Sequence, residues 1–398
     1  MRYRYILLVV LITFGVLLAA CGSSSDPTPT ATTSVATSST SAESTVETAA
    51  SPTADDARAT ATSEEASPTR AETAASPTTA SSPEGASGDD SGEKVKVTLA
   101  LGFVPNVQFA PYYVAIDNGY YADAGFDVEV QQGPNPDLLA QVGSGSIDFA
   151  VTSGDGLIPA RAAGIPVTYV MAQFQKYPVG ATAIGGKHDP LTAPEDLKGR
   201  RVGVSQTNGS TYFGLLALLQ AGELTLDDID LITIGFTELE ALTQDQIDVA
   251  MTYLVNEPVQ ARELGYDMEE LAVSDYVNMV STGLVTNESM LSEHPDLVQK
   301  FVEATLKGLQ ASLDDPDAAF EASMARMPEI TGDNVRIQRA VLEQAQKWQQ
   351  PPTDHPLGWT DPEAWQNTQD LLQSVGVVDA PIDPEALYTN EFVEQAGQ

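Results

Sequence analysis

Five short stretches of the chain hold residue types suited to gripping a small molecule without reacting with it. Phe103-Val104-Pro105-Asn106-Val107-Gln108-Phe109 sets aromatic faces beside amide groups that both donate and accept hydrogen bonds. Thr152-Ser153-Gly154-Asp155-Gly156 and Gln206-Thr207-Asn208-Gly209-Ser210-Thr211-Tyr212 each place hydroxyls and free backbone N–H groups just ahead of a helical pattern. Gln173-Phe174-Gln175-Lys176-Tyr177 and Tyr253-Leu254-Val255-Asn256-Glu257 add further amides and rings. The candidates for contact are Phe103, Asn106, Gln108, Ser153, Asp155, Gln173, Tyr177, Asn208, Ser210, Thr211, Tyr212, Tyr253, Asn256 and Glu257. Several have an equally ordinary use: Asn106, Ser153 and Asp155 are good helix caps, and Phe103 and Phe109 suit a core.

Reactive chemistry is poorly supplied. The sole cysteine is Cys21, and the three histidines, His188, His294 and His355, fall outside these stretches. No disulfide framework, Cys-based zinc site or thiol catalyst is available to the body of the protein. No metal or organic cofactor is expected. Gly143-x-Gly145 lacks the full dinucleotide spacing and precedes a strand, so it is not read as a nucleotide site. Trp348, Trp359 and Trp365 lie on or beside C-terminal helices, where packing is the expected role.

Those stretches need a scaffold that brings them together. From Lys94 onward, short β-branched runs alternate with helical periodicity, the pattern of an α/β protein with doubly wound, mostly parallel sheets. Strands are predicted at Lys96–Leu101, Phe126–Gln131, Ile147–Thr152, Val167–Ala172 and Ala181–Ile184 for one lobe. A second, smaller lobe takes Arg201–Ser205, Ile229–Ile234 and Val249–Leu254, after which Met279–Thr286 returns and long helices follow. The expected division is residues 94–187 with 278–398 in lobe 1 and 188–277 in lobe 2, the two joined by a two-crossover hinge. Ligands of open α/β sheets sit beyond the carboxyl ends of the strands, and each of the five stretches occupies such a turn.

The amino-terminal part has a different grammar. Arg2 and Arg4, the apolar run Ile6 to Leu18 and Leu18-Ala19-Ala20-Cys21 are a basic region, a hydrophobic region and a small-residue cleavage site. Leu-Ala-Ala-Cys resembles the bacterial lipobox, which makes residues 1–20 a lipoprotein signal peptide and Cys21 the lipidated amino terminus, with diacylglycerol on sulfur and a chain such as palmitate on nitrogen. The expected address is the extracytoplasmic face of the cell membrane. Residues 21–93 are rich in Ser, Thr, Ala and Pro and hold no aromatic residue, the composition of a disordered tether.

Charge narrows the partners. The chain carries 19 basic against 56 acidic residues, a formal net charge of -37, and repels nucleic acid. Of the five stretches only one holds a cation, Lys176; Lys198, Arg200 and Arg201 sit at the amino end of a strand, the wrong edge of its sheet. An anion binder would gain from an arginine clamp, so a neutral ligand is favoured. Rings, amides and hydroxyls together suit a flat heterocycle whose edge alternates donors and acceptors.

The body also resembles a known family. Leu101-Gly102-Phe103-Val104-Pro105-Asn106-Val107-Gln108-Phe109-Ala110-Pro111-Tyr112-Tyr113, Gly119-Tyr120-Tyr121, Gly125-Phe126-Asp127-Val128, Gly143-Ser144-Gly145-Ser146-Ile147-Asp148-Phe149, Asp196-Leu197-Lys198-Gly199-Arg200-Arg201-Val202-Gly203-Val204 and His294-Pro295-Asp296-Leu297-Val298 occur in the order found in substrate-binding proteins of ABC importers. The resemblance is to the branch that includes binders of thiamine pyrimidine precursors, sulfonates and riboflavin. It implies a two-lobed periplasmic-binding-protein fold, capture of a ligand by lobe closure, and delivery to a permease driven by an ATPase. Riboflavin is the ligand best matched to the stretches above. A thiamine pyrimidine precursor of the aminomethylpyrimidine type is the alternative, and a sulfonate stands third. The same fold serves eukaryotic thiamine-pyrimidine synthases that depend on a histidine and a cysteine-rich element; lacking the latter, this chain is expected to bind rather than catalyse.

Overall fold

Two β-sheets of five strands each, flanked by helices, organise the body. The computed structural model describes residues 94–397 except 135–136 and 352–353, all within the unit Gly85–Gln398. The stretches expected to be a signal peptide and a tether, with Cys21, lie outside the described residues.

Lobe 1 begins with β1 (Val95–Leu101), α1 (Ala110–Asp117), α2 (Tyr120–Asp123), β2 (Phe126–Gln132), α3 (Leu138–Gly143), β3 (Phe149–Ser153), α4 (Gly154–Ala162) and β4 (Val167–Ala172). The chain then enters lobe 2 through β5 (Val179–Ile184), β6 (Arg201–Val204), α5 (Ser210–Ala221), β7 (Asp230–Thr233), α6 (Glu238–Thr243), β8 (Val249–Tyr253), α7 (Glu257–Glu263) and β9 (Met268–Ala272). It returns as β10 (Thr282–Asn287) and closes with helices, of which α8 (Glu288–Glu293), α9 (Pro295–Asp314), α10 (Pro316–Met324), α11 (Asp333–Gln349) and α12 (Pro362–Ser374) are the first five.

The strand orders are β2-β1-β3-β10-β4 and β7-β6-β8-β5-β9. In each sheet three neighbouring strands pair parallel in the βαβ manner and four of the five share one sense; the strand of the opposite sense, β10 or β5, is the one that has just crossed between lobes. Both sheets are therefore mixed and mostly parallel, as expected. Two sequence expectations change here. The strand assigned to lobe 1 at Ala181–Ile184 belongs to lobe 2, where β5 pairs antiparallel with both β8 and β9. The first crossover is thus residues 173–178, and the lobe boundary expected at 187/188 moves with it. Met268–Ala272 is a strand that the pattern did not reveal, because its Glu269 and Glu270 interrupt the apolar run. With it, lobe 2 has as many strands as lobe 1.

Local chemistry explains the element ends. Asn287 caps α8 by accepting from the Met290 N–H at 2.9 Å, Asp361 caps α12 by accepting from Glu363, and Pro295, Pro316 and Pro362 occupy first helical positions where no N–H is needed. Gly283 in β10 is required by packing: a Cβ there would collide with the Met171 carbonyl and the Tyr169 ring. Phe301 on α9 stacks on Phe149 and Tyr121 within the lobe 1 core, and Trp365 on α12 is buried against Tyr169 and Tyr388. Helix α11 spans both lobes: Val341 and Leu342 pack with Val107 of lobe 1 and Val259 of α7, while Trp348 joins Phe174 and Val255 at the crossover. The tryptophans at 348 and 365 are packing residues, as expected, and Trp359 stacks on His355.

Candidate functional site

The carboxyl edges of the two sheets face one another across a cleft of about 440 Å³, a size suited to a small organic ligand. Lobe 1 contributes Gly102, Phe103, Gln108 and Phe109 from the segment after β1, Val151 to Ser153 from the end of β3, and Thr282 from the start of β10. Lobe 2 contributes Ser205, Gln206 and Asn208 to Thr211 from the turn into α5, Phe236 and Glu238 from the turn into α6, and Tyr253, Asn256 and Glu257 from the turn into α7.

The mouth is aromatic. Phe103 and Phe236, one from each lobe, meet edge to face with ring centroids 5.9 Å apart and planes at 61°. Phe236 is 53% exposed, unusual for a large apolar ring and consistent with a surface meant to be covered. Deeper in, Asn106 caps a short 3-10 turn by accepting from the Gln108 N–H at 3.0 Å, which sets the backbone of Gln108. Gln173 Nε2 donates to the Gln108 carbonyl at 2.7 Å and holds the same turn from the crossover. On the other lobe Gly209 has φ 75° and ψ -176°, a conformation in effect reserved for glycine, and it aims Asn208 and Ser210 at the cleft.

Of the residues singled out from sequence, Phe103, Gln108, Ser153, Asn208, Ser210, Thr211, Tyr253, Asn256 and Glu257 line the cleft. Five do not, and each has a structural partner instead. Asn106 and Gln173 are buried supports of the Gln108 turn. Tyr212 is not on the cleft wall and packs, half-buried, against the hydrophobic core. Asp155 and Tyr177 are fully buried behind the wall, where Asp155 collects the Ser153 hydroxyl at 2.5 Å, the Ser210 hydroxyl at 3.2 Å and Tyr177 at 2.5 Å. That carboxylate therefore ties α4 of lobe 1, the crossover and α5 of lobe 2 into one polar junction. Burial pushes its pKa up from the ordinary 3.8, against the pull of the three hydroxyls.

Phe236, Glu238, Ser205 and Thr282 were missed. The strand-to-helix rule would have found Phe236 and Glu238 had it been applied to Ile234-Gly235-Phe236-Thr237-Glu238. Thr282 escapes that rule because β10 runs antiparallel to β3, which puts its first residue opposite Ser153 at the carboxyl edge.

Among the described residues no lysine, arginine or histidine lines the cleft; Lys176 is exposed outside it. Two carboxylates do. Burial, reinforced by facing Glu257, pushes Glu238 from 4.5 to about 7. Glu257 is likewise raised by burial, though it accepts from the Tyr253 N–H at 2.9 Å and from Asn256 Nδ2 at 2.6 Å. Tyr253 is pushed up to about 12, chiefly by burial, with Ser210 and Thr282 as partners of its hydroxyl. His188, Asp245 and Asp248 converge closely enough to share an ion, but at the amino edge of β6 and β8, where Arg201 and Lys187 already pair with the carboxylates.

Two mixed sheets closing on one cleft are the architecture of the periplasmic-binding-protein fold. The periplasmic aliphatic sulphonate binding protein SsuA of Escherichia coli shares this fold, with a TM-score of 0.58 at 15% identity over 73% of this chain and 91% of that one. Residues 106–319 match the NMT1/THI5 like family, and the chain belongs to that family. Riboflavin-binding protein RibY of Chloroflexus aurantiacus is 37% identical over 303 residues, 75% of this chain and 86% of the relative. Formylaminopyrimidine-binding protein of Halalkalibacterium halodurans is 26% identical over 317 residues, 77% of this chain and 92% of the relative.

Proposed function

We propose that this protein is an extracytoplasmic substrate-binding lipoprotein that captures riboflavin between its lobes and delivers it to an ABC permease driven by its ATPase. The observation that carries the reading is the cleft itself: rings from both lobes at its mouth, amides and hydroxyls below, and no basic side chain on its wall. A flat neutral heterocycle satisfies such a surface, its ring covered by Phe103 and Phe236 and its polar edge and hydroxyls meeting Gln108, Asn208, Ser210 and Asn256. The 37% identity to a riboflavin-binding protein supports the same ligand. Closure about the two crossovers would exclude water from both walls at once.

Binding rather than catalysis is supported by the positions of the histidines. His188 pairs with Asp245 at the far edge of lobe 2, His294 lies between α8 and α9, and His355 stacks on Trp359. Lipidation at Cys21 would hold the protein on the outer face of the cell membrane, with residues 21–93 as the tether; labelled palmitate incorporated by the wild type and lost in Cys21→Ser tests this. Among the described residues no helix is long and apolar enough to cross a membrane.

Titration of the full chain with riboflavin, followed by flavin fluorescence, tests the ligand. Quenching that saturates at one equivalent supports the reading. A flat signal overturns riboflavin and makes an aminopyrimidine, the ligand type named for the 26% relative, the next candidate.

A further inference from the structure

Glu238 is placed unlike any other acidic residue of the described chain. It stands at the first position of α6, directly after the turn that carries Phe236, with 8% of its surface exposed and its side chain on the cleft wall. Its carboxylate accepts from its own backbone N–H, and no side chain donates to it. Glu257, facing it from α7, is different: one oxygen accepts from the Tyr253 N–H and the other from Asn256 Nδ2, so that carboxylate is already committed to its own turn. Of the two carboxylates on the wall, Glu238 is the one with no side-chain donor and so keeps the larger acceptor capacity for a ligand.

We propose that Glu238 is the specificity-determining residue of this cleft, selecting ligands that present an N–H or O–H donor and rejecting their phosphorylated or sulfonated analogues. The proposal rests on the reading of the cleft as a heterocycle site. The physical reason is positional. Glu238 is 8% exposed, has no side-chain donor and lines the cleft beside Phe236. A ligand phosphate entering the closed cleft meets Glu238 and Glu257 together, with no cation on the wall to offset them. The other ionisable groups near Glu238 are Glu240 on its own helix, Tyr253 at the end of β8, and Lys187 and Arg201, which belong to the opposite end of lobe 2: Lys187 Nζ donates to the Leu242 carbonyl at the end of α6, and Arg201 pairs with Asp248 before β8. With burial and Glu257 holding Glu238 near neutrality in its titration, rejection of anions should weaken on acidification as the repelling charge is lost.

The test compares riboflavin with riboflavin 5′-phosphate by fluorescence quenching of the full chain, in the wild type, Glu238→Gln and Glu238→Asp, between about pH 5.5 and pH 8.5. The expected result is a preference for riboflavin in the wild type that falls at least about tenfold in Glu238→Gln, and is largely kept in Glu238→Asp. The wild-type preference also shrinks below about pH 7 more steeply than that of Glu238→Gln, a behaviour that a purely structural role would not produce. An unchanged preference in Glu238→Gln overturns the proposal, as does equal loss in Glu238→Gln and Glu238→Asp. Should neither flavin bind the wild type, the riboflavin reading fails separately. The proposal is then decided on 4-amino-5-hydroxymethyl-2-methylpyrimidine against its phosphate ester by calorimetry, with the same ratios. Failure of that neutral probe as well overturns both.

Discussion

The Tyr177 hydroxyl lies 2.5 Å from Asp155 Oδ2 and, at the same time, 2.7 Å from the carbonyl oxygen of Ser210. A phenol has one hydrogen and a carbonyl can only accept. Both bonds are made at once when Asp155 is protonated, its O–H donating to Tyr177 while Tyr177 donates to Ser210. Burial, aided by Asp155, raises the Tyr177 pKa, so the phenol keeps its proton. The junction joins lobe 1 to lobe 2 through the crossover and so favours the arrangement in which the lobes face each other.

The sign of the pH effect follows. The folded-state pKa of Asp155 is raised above its ordinary value of 3.8, so its contribution to stability is complete below that value and is lost as pH rises through the folded pKa. Asp155→Asn, which cannot ionise, is expected to fold and to flatten that part of the pH dependence. Asp155→Ala leaves the Ser153 and Ser210 hydroxyls without their shared acceptor and the Tyr177 oxygen without its donor, and is expected to cost about 1–3 kcal/mol. Thermal melts of the three proteins between about pH 4 and pH 8 decide; an Asp155→Asn protein with the wild-type slope would remove protonation from the account.

Phe236→Ala should weaken riboflavin binding by roughly tenfold, about 1.4 kcal/mol, and act mainly on dissociation, because the ring covers the mouth rather than ordering the cleft floor. Stability should change by less than about 0.5 kcal/mol, since the side chain is already 53% exposed. Stopped-flow fluorescence separates the rates, and a change confined to association would contradict the covering role.

Gly209→Ala puts a Cβ on a backbone at φ 75° and ψ -176°. No neighbouring atom lies in the way, so the penalty is conformational, of order 1–3 kcal/mol. The turn would relax and carry Asn208 and Ser210 off the wall, so affinity should fall by more than stability alone explains. Binding measured well below the melting temperature isolates that part; unchanged affinity would show that the turn's conformation does not matter to the ligand.

Much of the cleft was legible because one topological rule holds in both lobes: strand-to-helix turns of an open α/β sheet gather at one edge. Ser153, Ser210, Tyr253 and Asn256 follow from locating β3, β6 and β8, which β-branched runs make visible. What a turn residue faces is another matter. Ser153 and Asp155 are two positions apart at the start of α4, yet one lines the cleft and the other is sealed behind it. Tyr177 and Tyr253 border strands in matching fashion, yet one braces the lobes and the other lines the cleft.

Sequence by itself determined the class of fold, the neutral and polar character of the residues offered to a ligand, and most of the strands and helices along the chain, since these depend on periodicity and residue type within short windows. Tertiary structure alone decided that β5 belongs to lobe 2, that Thr282 reaches the cleft from an antiparallel strand, and that Glu238 stands unpaired opposite Glu257. The reason is that strand pairing and the environment of a carboxylate are set by chain segments far apart in sequence. Glu238 and Glu257 are separated by a helix and a strand, and only the closing of the sheet makes one raise the pKa of the other.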